Sequence, residues 1–90
     1  MSGGPYWSAR FQRRVWFTDH ALARAAERNI SVNMLLDVIE TGTLREREGG
    51  HCWIWKMIEG RDDNLICVAA LLAEALIVKT VMHHFEPEAT

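Results

Sequence analysis

Apolar positions follow a helical spacing from Phe17 to Gly42 and a strand-like spacing after it. In the first stretch Leu22, Ala25 and Ala26, then Val32, Leu35, Leu36 and Ile39, recur at i, i+3, i+4 and i+7, the stripe of an amphipathic helix. Thr18 is a suitable N-cap, Phe17 and Leu22 are spaced as a hydrophobic staple around it, and Asp19 suits the positive end of the helix dipole. Asn29 fits a left-handed residue just past the helix end. The same grammar then repeats, with Ser31 as a second N-cap, Ile30 and Leu35 as its staple, and Gly42 as the stop. Two helices joined by one or two residues must turn sharply into a compact corner.

After Gly42, Leu44–Arg47 reads as a short strand, Gly49-Gly50 as a tight turn, and the stretch 51–58 as a longer strand rich in β-formers. Gly60-Arg61-Asp62-Asp63 is turn chemistry, and 64–72 and Leu76–Met82 are two further apolar strands around Ala73-Glu74-Ala75. Arg13–Phe17 adds a short edge strand before the first helix. Residues 1–12 and 86–90 read as flexible segments around a single α+β domain spanning 13–85. The expected fold is two N-terminal helices packed on a three- to four-stranded antiparallel sheet. The late strands are apolar at nearly every position, so neither sheet face looks solvated. Two helices cover one face. A second copy of the chain or another partner protein would cover the other.

Within the first helix, His20, Arg24 and Arg28 stand four residues apart and project to one side. The run FTDHALARAAERNIS that contains them, followed by an amphipathic helix and three strands, resembles a widespread bacterial family of small uncharacterised domains. Its members open with a T-x-H-A-x-x-R-x-x-E-R-x-I-S signature. That family is similar, distantly, to the RelE, barnase and EndoU-type ribonuclease folds, which include toxins of toxin–antitoxin pairs. The resemblance covers 17–83. It implies a RelE/barnase-like fold and RNA cleavage without a metal, with His20 as general acid or base and Arg24 and Arg28 on the scissile phosphate. It also makes His83, at the end of the last strand, a catalytic candidate, and an antitoxin-like protein a partner. The competing reading is structural: His20 and Arg24 anchor the helix corner by hydrogen bonds, Glu27 pairs with Arg24, and His83 and His84 are solvated.

Other residues carry weaker signals. Trp53 and Trp55 lie on one face of their strand with Lys56 on the other. Beside Arg45 and Arg47 they could stack nucleic-acid bases, or they form core or interface. His20, His51, Cys52, Cys67, His83 and His84 lack the paired spacings of a structural zinc site, and neither a metal nor a cofactor is expected. Cys52 and Cys67, with no framework spacing, read as buried, reduced thiols of a cytoplasmic protein.

Composition narrows the classes further. The chain has 90 residues, 49% of them hydrophobic, enough for one core and too many for wholesale disorder. No apolar run reaches the ~18 residues of a membrane span, and the N-terminus lacks the apolar centre of a signal peptide. The net charge of −2 counts against nonspecific polyanion binding as the main role. Seven of the arginines nevertheless fall within residues 1–50. Two functions follow: a toxin-like RNA-cleaving domain, or a non-enzymatic module that dimerises or binds a partner.

Overall fold

A computed structural model describes residues 3–58 and 65–82. The turn expected at 60–63 lies outside the described residues. The elements run β1 (Gly3–Ser8), β2 (Arg13–Phe17), α1 (Asp19–Glu27), α2 (Val32–Thr41), β3 (Thr43–Glu46), β4 (His51–Met57), β5 (Leu65–Leu72) and β6 (Leu76–Met82), with a single 3-10 turn at Glu48–Gly50.

Both helix starts form as local chemistry dictates. The Thr18 hydroxyl accepts from the Ala21 N–H and the Ser31 hydroxyl from the Met34 N–H, each at 3.1 Å. Asn29 takes the left-handed conformation at φ 56°. It donates to the Ala26 carbonyl, and Ile30 donates to that of Ala25. This is a Schellman ending that satisfies two orphan carbonyls and tucks Ile30 into the core.

The sheet departs from expectation. It has six strands in the order β1-β2-β6-β5-β4-β3, where three or four antiparallel ones were expected. It is mixed, because β2 pairs with β6 in parallel while every other pairing is antiparallel. The N-terminal stretch read as flexible supplies β1, so Arg13–Phe17 is an interior strand and not an edge. The parallel pairing follows from the helix corner: the chain leaves β2, crosses one face through both helices, and returns by a meander that ends beside β2. Parallel neighbours require such a crossover.

Side chains alternate across the strands, and the register sorts them cleanly. Val15 and Phe17 on β2, Leu76 and Val78 on β6, Val68 and Ala70 on β5, and Cys52 and Ile54 on β4 all point toward the helices. With Leu35, Val38 and Ile39 of α2 and Ala21 and Ala25 of α1 they make the core. Lys56 is on this side too and reaches Asp37 at 2.6 Å and Thr41 at 2.8 Å on α2. Opposite the Ala69/Ala70 step the β6 register shifts, leaving Lys79 as the extra residue of a bulge. Its carbonyl accepts from the Thr18 hydroxyl, and the Thr18 N–H donates to Val78. The bulge therefore receives the start of α1.

A second tether holds the N-terminal hairpin. The Glu40 carboxylate of α2 accepts from the Ser8 hydroxyl (2.5 Å), the Ala9 N–H (2.8 Å) and the Arg10 N–H (3.3 Å). Arg10 returns the favour at the end of α2, donating to the Ile39 and Gly42 carbonyls. At the β3–β4 turn Gly50 has φ +85°, and a Cβ there would sit 2.6 Å from the Leu72 carbonyl oxygen, so glycine is required.

Candidate functional site

The α1 constellation lies on the helix layer. Ala21 and Ala25 face the sheet and are buried, so His20, Arg24 and Arg28, rotated away from them, are exposed. Arg24 forms a 3.7 Å ion pair with Glu27 one turn on, as the structural reading of this helix expected. A pair this exposed contributes little to stability. None of the three residues lines the cavities described below. His83, the fourth catalytic candidate, lies outside the described residues, as does His84. Whatever His20, Arg24 and Arg28 bind must approach from the helix side.

Among the described residues no helix lies on the opposite face of the sheet. Its residues form rows across the strands. One row runs Trp16, Ile77, Leu71, His51; the next runs Thr80, Ala69, Trp53, Arg45; the next runs Met82, Cys67, Trp55, Thr43. At the β1–β2 end, Arg14 and its partner Trp7 share this face, and Trp7 is 63% exposed. At the far end Met57 is 61% exposed. Trp53 and Trp55 therefore share a face and Lys56 takes the other, as the alternation requires.

Two arginines lie across these rings. The Arg47 guanidinium carbon is 4.5 Å from the Trp53 ring centroid, and that of Arg45 is 5.9 Å from Trp55. Both are within cation–π range, and a planar guanidinium stacked on an indole keeps its donors at the ring's edge. No strand residue on this face, among the described residues, is acidic. The carboxylates sit elsewhere: Asp19, Glu27, Asp37 and Glu40 on the helices, Glu46 on the helix-facing side of β3, and Glu48 and Glu74 at turns.

Three depressions border the face. The largest, about 840 Å³, is lined by Glu46, Arg47, Glu48, His51 and Trp53 at the β3–β4 turn. A narrower one of about 230 Å³ adjoins it and reaches Cys52. The third, about 330 Å³, lies beside Trp7, Arg14, Trp16 and Glu74. The cysteines are not poised for chemistry. Burial pushes the Cys52 thiol up, aided by the charge of Glu46. Burial also carries Cys67 up to about 12, against a smaller lowering by the Ile54 backbone hydrogen bond. A thiol held protonated is a poor nucleophile and a poor ligand. Among the described residues no three His, Cys, Asp or Glu side chains cluster to hold a metal, and no described helix is long and apolar enough to cross a membrane.

Sequence reasoning passed over Trp7, Arg14, Trp16 and His51 as members of the Trp53/Trp55 face. A usable signal existed for β2, since Arg14 and Trp16 alternate with Val15 and Phe17. The pairing that brings β2 beside β6 is not local and left no such trace. In comparisons with known proteins, a family described as a domain of unknown function (DUF4258) matches residues 17–83. No curated protein and no solved structure matches the chain. The family region begins at the last residue of β2, so β1 and nearly all of β2 precede it.

Proposed function

Because the chain belongs to the DUF4258 family, whose description assigns no chemistry, we propose from geometry that it is an interaction module whose open sheet face seats another macromolecule. One observation carries this reading. Trp16, Trp53 and Trp55, with Arg14, Arg45 and Arg47, occupy the side of a six-stranded sheet against which no described helix packs. Tryptophan and arginine are the residues most enriched where interfaces concentrate their binding energy. Trp7 and Met57 stand exposed at the two ends of this side, and large apolar side chains left to solvent on one face mark contact with something else. A homodimer and an antitoxin-like protein are both accommodated by this reading.

In-cell photo-crosslinking tests it. A benzophenone amino acid replaces Met57 on the open face in one variant and Asn33, exposed on α2, in another. Adducts heavier than the monomer from Met57 and not from Asn33 support the module. Adducts from Asn33 alone would refute it.

The spacing of His20, Arg24 and Arg28 along one side of α1 carries a second reading, the toxin-like, RelE-like ribonuclease. There His20 moves a proton and the arginines hold the phosphate while the 2′-hydroxyl attacks. Expression of the wild type and of His20→Ala/Arg24→Ala in a bacterium separates the two. Growth arrest that the double substitution abolishes supports the enzyme. Growth unaffected by the wild type removes it.

A further inference from the structure

Resting on the reading of the open face as an interaction surface, we infer that its occupant is single-stranded RNA, with bases on the tryptophans and phosphates on the arginines. Charge makes the first selection. The face carries Arg14, Arg45 and Arg47 and no acidic strand residue among those described, although the whole chain is net negative. Among the described residues the carboxylates nearest this face, Glu46, Glu48 and Glu74, stand at its rim, so its strand positions themselves carry only positive charge. A second copy of the chain would set the same arginine-bearing strand positions against these, with Glu46, Glu48 and Glu74 only at the rim. That arrangement is disfavoured, and an anionic partner is favoured.

The aromatic pattern makes the second selection. Trp53 and Trp55 are two residues apart on β4, a step of about 7 Å along the strand, and each has its own guanidinium, Arg47 and Arg45. An acidic protein segment would use the arginines but treat the indoles as plain apolar area. A single-stranded nucleic acid uses both, because every base has a π-face and every linkage a phosphate. A duplex offers its phosphates but not its base faces, which are already stacked on one another. Glu48 and His51 share the depression with Trp53 and Arg47, which places hydrogen-bonding groups near the edge of a base seated on Trp53.

The test uses the purified full chain and a ten-residue oligo-uridylate, followed by tryptophan fluorescence and by anisotropy of the labelled strand. Expected are quenching on binding and a weakening of roughly tenfold or more for Trp53→Leu and for Trp55→Leu. Arg47→Ala, a surface change that leaves the core intact, should lower the slope of log K against log salt by about 0.7. Weaker binding of oligo-deoxythymidylate supports the assignment to RNA, whereas binding DNA as tightly as RNA or more tightly overturns it. Tighter binding of poly-L-glutamate than of the oligonucleotide overturns it in favour of an acidic protein. RNA binding lost on Arg24→Ala but kept on Arg47→Ala also overturns it, moving the strand to α1. A stable dimer that binds no oligonucleotide overturns it as well, yet leaves the interaction module standing. That module falls only with the crosslinking pattern at Met57.

Discussion

Replacing Glu40 with alanine should loosen the N-terminal hairpin from the rest of the molecule, and the cost can be worked from its three hydrogen bonds. The carboxylate accepts from the Ser8 hydroxyl and from the N–H groups of Ala9 and Arg10. Ala9 and Arg10 are exposed, so their N–H groups regain water when the carboxylate leaves. Ser8 is 1% exposed and its donor does not. A buried donor left without an acceptor costs about 1–3 kcal/mol, and the two exposed bonds add a few tenths, giving about 2 kcal/mol. A natural domain has only about 5–15 kcal/mol in total. With a urea m-value near the low end of ~1–3 kcal/mol/M for so small a chain, the unfolding midpoint should fall by about 1–2 M at unchanged m. Ser8→Ala and the double substitution complete a cycle, and the coupling should exceed about 0.5 kcal/mol. A midpoint shift worth less than about 0.5 kcal/mol, or additive singles, would show that the tether is ornamental. The consequence reaches the open face, because this hairpin brings Trp7 and Arg14 to it.

Two further outcomes follow from close approach and from burial. In Gly42→Ala the new Cβ would lie 2.5 Å from the Val38 carbonyl oxygen and 2.7 Å from that of Trp55; calorimetry should show a loss of about 1–3 kcal/mol, or a Tm lowered by at least about 4 °C, and an unchanged Tm would contradict the packing. Cys67 ionises near 9.0 when unfolded and near 12 when folded. Its contribution is therefore complete below pH 9 and is lost as pH rises toward about 12, at up to about 1.4 kcal/mol per pH unit. Denaturant melts across that window should show the decline, and Cys67→Ala should flatten it; an identical slope in the variant would count against the buried neutral thiol.

What the sequence determined is what the chain settles with its near neighbours. Thr18 and Ser31 cap helices because a hydroxyl three residues from a free N–H meets it in any context that allows a helix. Asn29 turns left-handed because the chain must end α1 within one residue. Trp53 and Trp55 share a face because strand alternation admits nothing else. The same logic correctly put His20, Arg24 and Arg28 on one side of α1. Spacing could not tell whether that side would meet the sheet or solvent, and packing through Ala21 and Ala25 turned it to solvent. Only the tertiary structure made Gly3–Ser8 a strand. Two glycines and a proline carry no strand signal, and its pairing with β2 is secured by a carboxylate 32 residues away from Ser8. Tertiary structure likewise set β2 parallel to β6 and decided which sheet face the helices took. That choice left tryptophans and arginines from four strands on one surface that no described helix covers. Such pairings join residues about 60 positions apart, where loop closure and burial of the shared core decide the partner and local propensity has no say.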